Sequence, residues 1–141
     1  MIFQKILVPL DGSEHSKRAL EAAVQIARGL SSKLVLLTVY SVTPAPAVGP
    51  EVVMVAIEHS RDFGKKILAE AEEKVRSEKI EVETELAEGN AVEVIVKKSK
   101  EEKFDMIVMG ARGLSTIKKI FVGSVSDGVI KKAPCPVLIV K

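Results

Sequence analysis

Glycine and hydroxyl residues crowd one stretch of the sequence: Gly110-Ala111-Arg112-Gly113, then nine residues, then Gly123-Ser124-Val125-Ser126. Glycine at a strand end lets backbone approach a ligand with no Cβ in the way. A helix opening at Ser124 would present unpaired N–H groups and the positive end of its dipole, and both favour phosphate. Ser124 and Ser126 add hydroxyl donors, and Arg112, Lys118 and Lys119 add cationic charge nearby. A plainer reading stands beside this one. Ser124 with Asp127 three residues later makes a capping box, and glycine is common in any loop.

Known phosphate motifs do not match. Gly123 and Gly128 have the glycine spacing of a Walker loop, but Val129-Ile130 stand where Lys and Ser/Thr are required. No G-x-G-x-x-G follows a strand, which disfavours a dinucleotide site of the usual kind. Asp11 follows the first strand, where a carboxylate can accept hydrogen bonds from ribose hydroxyls or hold a metal through water. Its alternative role is an Asp-Gly turn that favours the start of the first helix. His15 and His59 belong to no visible triad and read as surface residues. Cys135, between Pro134 and Pro136, reads as a small packing residue. Lys97-Lys98 and Lys131-Lys132 read as solvated helix faces.

These residues need elements to position them. Ile2 to Leu10 reads as a buried strand ending in the turn residues Asp11-Gly12. A helix follows from Ser13 to Leu30, capped by Ser13 or Ser16, with Ala19, Ala22, Ala23, Ile26, Ala27 and Leu30 inward. Leu34 to Val39 is a continuous apolar strand of the kind covered on both faces. Ser41 to Pro50, with Pro44, Pro46, Gly49 and Pro50, reads as a surface loop. The second helix runs from Val53 to Ser77, with Ile57, Phe63, Ile67, Leu68, Ala71 and Val75 inward, and Glu70 with Lys74 on its solvated face. Ile80 to Ala87 alternates as a half-exposed edge strand, with Ile80, Val82, Thr84 and Leu86 inward and an acidic outer side. Asn90 opens a third helix with Glu93 at the capping-box position. Asp105 to Met109 is a buried strand, Gly110 to Val122 a loop, Ser124 to Lys132 a short helix, and 136–140 the last strand.

The order βαβαβαβαβ implies right-handed crossovers and an α/β fold, a mainly parallel sheet with helices on both faces. Such sheets bind ligands outside the carboxyl ends of their strands, where the strand order reverses. Here those ends carry Pro9 to Gly12, Val39-Tyr40, Gly89-Asn90 and Met109-Gly110. A chain of 141 residues fits a single domain, 1–141, large enough for a real core. Its net charge of +2 and 4% aromatic content, with no Trp, argue against nucleic acid as the main ligand. No apolar run approaches the roughly 18 residues of a membrane span, and no signal peptide is seen at the N-terminus. One cysteine and two histidines exclude an intramolecular disulfide and a Cys/His metal cage, and suit a cytoplasmic protein.

With these residues in view, the chain resembles the universal stress proteins, over essentially its whole length. The likeness rests on Ile6 to Ser13, on Met109-Gly110-Ala111-Arg112-Gly113 with Gly123-Ser124-Val125-Ser126, and on Ala133 to Val140. The spacing G-x2-G-x9-G-[ST] is that of the family's ATP-binding branch. The resemblance implies a Rossmann-like (adenine nucleotide alpha hydrolase-like) five-stranded parallel sheet, and a homodimer through antiparallel pairing of the last strands, here 136–140. It implies a site for ATP, with Mg²⁺ or Mn²⁺ held by its phosphates. Carried over, Pro9, Asp11 and Val39 lie at the ribose and adenine end, Val39 through its backbone. Met109, Gly110, Arg112 and Gly113 track the ribose and first phosphates, and Gly123, Ser124, Val125 and Ser126 hold the rest. Ala91 departs from the proline many relatives carry there, but alanine suits a first helical turn.

Three functions compete. The first is a nucleotide-dependent regulatory or stress-response module. The second is a slow ATPase or phosphotransferase, for which Asp11 is the one water-positioning residue to nominate. The third is an interaction protein whose glycines only shape a loop.

Overall fold

Alternating strand residues point to opposite sides of a sheet, and here both sides are apolar. The computed structural model describes residues 3–41, 49–113 and 123–141. Its elements are β1 (Lys5–Pro9), α1 (Glu14–Leu30), β2 (Lys33–Tyr40), α2 (Pro50–Ser77), β3 (Val82–Glu88), α3 (Ala91–Glu101), β4 (Met106–Gly110), α4 (Ser124–Lys132) and β5 (Val137–Val140). All five strands join one parallel sheet in the order β3-β2-β1-β4-β5. Ile6, Val8, Leu34, Leu36 and Val108 face α1 and α2. Leu7, Val35, Leu37, Ile107 and Met109 face the side of Ile95 on α3 and Val129 on α4.

The strand order reverses between β1 and β4, because β2 and β3 lie on one side of β1 and β4 and β5 on the other. The two neighbours hold β1 unequally. β2 pairs with it through Pro9↔Leu37, while pairing with β4 runs only from Ile6↔Met106 to Leu7↔Ile107. Beyond Leu7 the two central strands are no longer laddered, which opens a crevice at the topological switch point.

Local chemistry sets the element ends. Ser13 caps α1, its Oγ accepting from the Ser16 N–H at 3.2 Å, and Asn90 caps α3, its Oδ1 accepting from the Glu93 N–H at 3.1 Å. Helix α2 starts earlier than its hydrophobic pattern suggests. Pro50, expected in the loop, is its first residue, because proline's fixed φ and missing N–H suit that position. The rest of that loop, 42–48, lies outside the described residues. β3 is an edge strand as expected, with Val82 buried and Leu86 partly so, but Thr84 is exposed.

Several side-chain expectations are corrected. Leu30 is 39% exposed at the last turn of α1, while Leu20 and Val24 take places in the core. Phe63 is 48% exposed, lying on the flank of α2 over the β1–α1 turn, against Gly12. Lys74 reaches across to Glu21 on α1 at 3.1 Å rather than pairing along its own helix with Glu70. Lys98 is no solvated residue. Its side chain is 8% exposed, bonded to Glu102 at 2.6 Å and Glu85 at 3.0 Å, and it sits over the Phe104 ring. Burial works against its charge, but the two carboxylates outweigh burial and hold its pKa above the ordinary lysine value. Cys135 packs against the α3–α4 side of the core, and burial, with Asp105 nearby, raises its thiol pKa. A raised thiol pKa disfavours the thiolate, which fits a packing role rather than a nucleophilic one.

Candidate functional site

The crevice at the switch point widens into a cleft of about 320 Å³, at the small end of the roughly 300–1,000 Å³ common for ligand pockets. Strand β1 brings Pro9 and Asp11, β2 brings Val39, and β4 with its exit brings Met109, Gly110, Arg112 and Gly113. The start of α4 brings Gly123, Ser124, Val125 and Ser126. Every residue singled out from the sequence as part of a nucleotide site therefore lines this one cleft. Lys118 and Lys119 lie outside the described residues.

Sequence reasoning missed part of the wall. Leu10, Ser16, Leu37, Ala91 and Ile95 also line the cleft. A usable signal existed for Leu37, which lies two residues before Val39 on the same face of β2; Ile95, one helical turn after Ala91, is brought in only with α3. Together with Val39, Met109 and Val125 they make an apolar chamber. Asp11 and Arg112 are the charged groups among its described lining residues.

Asp11 serves the fold and the cleft at once. Its Oδ1 accepts the Ser13 N–H at 2.9 Å, an Asx turn that sets up the start of α1. Its Oδ2 lies against Gly113, and a Cβ at Gly113 would collide with it. Gly113 is thus what lets the β4 exit close down on the carboxylate. Gly110 has a different reason from the one its sequence position suggests. A Cβ there would meet His15 backbone carbon at 2.7 Å and its carbonyl oxygen at 2.9 Å. The glycine permits close packing of β4 on the first turn of α1, rather than ligand approach. His15 is accordingly no plain surface residue. It is half-buried, and its Nδ1 is buried with no hydrogen-bond partner among the described residues. His59 is exposed. Gly128, which shares Walker glycine spacing with Gly123, instead makes room for Val92 of α3.

The α4 terminus departs from the capping-box expectation. Gly123, not Ser124, occupies the N-cap, and among the described residues no side chain caps the helix. Ser124 is already the first helical residue, so Ser124 and Asp127 fall one position short of a capping box. The Asp127 N–H instead bonds to the Gly123 carbonyl at 2.9 Å. The amides of the first turn are left without helical partners, and Ser124, Val125 and Ser126 line the cleft. The Ser126 hydroxyl is turned away from this role, donating to the Ala111 carbonyl at 2.7 Å. The arrangement can accept an anion at one end and an apolar ring at the other. Among the described residues no group of three or more His, Cys, Asp or Glu could hold a metal ion.

Comparison with known proteins follows the same lines. Residues 2–141 match the model of the universal stress protein family. Universal stress protein YxiE of Bacillus subtilis is 37% identical over 148 aligned residues, covering 99% of this chain and 100% of that protein. Among solved structures, universal stress protein UspA from Lactobacillus plantarum superposes with a TM-score of 0.91 at 26% identity, over 100% of this chain and 99% of its own. A universal stress protein solved in complex with cAMP gives 0.74 at 30% identity, over 100% and 99% of the two chains. A family protein from Arabidopsis thaliana with AMP bound gives 0.72 at 25% identity, over 98% and 91%. The fold is therefore the Rossmann-like, adenine nucleotide alpha hydrolase-like one, and some of its relatives hold adenine nucleotides. On its whole length and on its fold, this chain belongs to the universal stress protein family.

Proposed function

We propose that this chain is an ATP-binding regulatory module of the stress response, working as one domain over 1–141. The observation that carries the reading is the start of α4. Its glycine N-cap leaves the first-turn amides open to an apolar cleft. By contrast, α1 and α3 have their own side-chain caps, and α2, which also starts from a glycine N-cap but with proline in its first turn, contributes no residue to the cleft lining. A phosphate there takes the place of the missing cap, held by N–H groups and by the helix dipole.

The remaining parts follow from the chemistry of the lining. Val39, Leu37, Ile95 and Met109 offer an adenine ring an apolar bed. Asp11 presents a carboxylate to ribose hydroxyls while its other oxygen stays in the Asx turn. Arg112 adds positive charge on the phosphate side. A Mg²⁺ or Mn²⁺ ion would be held by the nucleotide phosphates and water, which is how magnesium commonly sits with nucleotides. The cAMP- and AMP-bound relatives favour the adenosine 5′-phosphate unit as the shared ligand.

Homodimerisation belongs to the same proposal. Among the described residues strand β5 pairs on one side only, with β4, and Leu138 on it is 36% exposed. An apolar edge strand invites pairing with a second copy. No helix among the described residues is long and apolar enough to cross a membrane, and we place the protein in the cytoplasm.

Calorimetric titration with adenosine, AMP and ATP, with and without Mg²⁺, tests the reading. Affinity is expected to rise about tenfold or more from adenosine to AMP, as charge-assisted hydrogen bonds to the α4 amides form. Equal affinity for adenosine and AMP would remove the phosphate site, and no heat with any of them at millimolar concentration would remove the function.

A further inference from the structure

Ser126 lines the nucleotide cleft, yet it is 2% exposed. Its Oγ lies 2.7 Å from the Ala111 carbonyl and 3.1 Å from the Gly123 carbonyl. A hydroxyl has one proton to give, and the shorter contact places it on Ala111. The same carbonyl also accepts the Gly123 N–H at 2.6 Å. Both lone pairs of the Ala111 carbonyl are therefore taken, by the N-cap residue Gly123 and by Ser126 in the first turn of α4. The Ala111 N–H in turn donates to the Val140 carbonyl at 2.8 Å, which ties the peptide before Ala111 to the end of β5. Ala111 itself is fully buried.

We propose that Ser126 is a positioning residue: its hydroxyl locks the start of α4 to the exit of β4, so that the first-turn amides are held ready for phosphate. The proposal rests on the nucleotide reading above and changes the role of one residue within it. Ser126 contributes the placement of its neighbours' N–H groups rather than a hydroxyl contact to the ligand. Turning the hydroxyl toward a phosphate would give up its bond to the Ala111 carbonyl and leave the Gly123 N–H as that carbonyl's remaining partner, loosening the tie between α4 and the β4 exit. Pre-set amides need no ordering when the anion arrives, and that saving is the contribution of the clamp.

The test combines two readouts on Ser126→Ala, Ser126→Cys and Ser126→Thr. The first is amide hydrogen exchange at Gly123 without nucleotide, and the second is calorimetric titration with AMP. A clamp predicts that Ala, and Cys with its weak S–H donor, speed Gly123 exchange and weaken AMP by about tenfold each, a hydrogen bond's typical worth. Ser126→Thr, which keeps the hydroxyl, is expected to retain both values. Weaker AMP binding with unchanged exchange would make the hydroxyl a direct ligand and overturn the proposal. Faster exchange with unchanged AMP binding would overturn it too, because the lock would then serve only the fold, and so would no change in either. Failure of the unaltered chain to bind AMP would refute the nucleotide reading itself, and is told apart by that one titration.

Discussion

Gly123→Asp is expected to abolish nucleotide binding while leaving the protein as stable as before, or slightly more so. Gly123 has ordinary extended backbone, φ −74° and ψ 170°, so a side chain there meets no conformational penalty. Its Cβ would stand 3.4 Å from both the Ala111 oxygen and the Arg112 Cα, which is normal contact. Aspartate is among the best N-cap residues, and its carboxylate complements the helix dipole, for a gain over glycine of about a few tenths of a kcal/mol. The same carboxylate would occupy the first-turn amides that the account reserves for phosphate, and would repel the incoming anion. Loss of about two to three charge-assisted hydrogen bonds corresponds to at least a hundredfold in affinity. Urea unfolding and AMP titration on the same preparation separate the two effects. Unchanged AMP affinity in a stable variant would mean that the phosphate does not sit on α4.

Gly110→Ala is expected to do the reverse, damaging the fold first. The added Cβ would lie 2.7 Å from the His15 carbonyl carbon and 2.8 Å from its Cβ, so the start of α1 must move away from β4. Forced overpacking against backbone costs about 3 kcal/mol, the upper end of the usual range, and would lower Tm by roughly 10 °C in a domain of this size. His15→Ala in the same chain should recover nothing, because alanine keeps the carbonyl and the Cβ that collide. A double variant as stable as the parent would show that β4 and α1 are not packed as described.

The fate of these two glycines shows what could be read from residues alone. The strand-end rule located the cleft correctly, because it depends only on the order of strands and helices. The residue types at those ends, Asp11, Gly110 and Gly113, then follow from sequence position. What escaped is what tertiary contacts decide. Gly110 could be identified as needed at a strand end, but its reason lies in His15, ninety-five positions away in sequence. Lys98 looks solvated on its helix, and only the packing of α3 beside β3 delivers Glu85 to it. Phe63 matches the apolar period of α2 yet lies on the flank of that helix. The α4 cap was misplaced by a single residue. Ser124 satisfied the capping pattern on paper, whereas Gly123 takes that position and frees the terminus.

That freed terminus is the feature on which the functional reading depends, and nuclear magnetic resonance tests it most directly. Titrating the ¹⁵N-labelled chain with AMP, and then with ATP and Mg²⁺, reports binding and location in a single series. The account predicts that the largest amide shifts fall on Gly113, Gly123, Ser124, Val125 and Ser126. Smaller shifts are expected along Asp11 and Val39. Adenosine should move the amides of Asp11 and Val39 while leaving those at the start of α4 nearly in place. A spectrum unchanged at millimolar nucleotide, or shifts gathered on another surface, would contradict it.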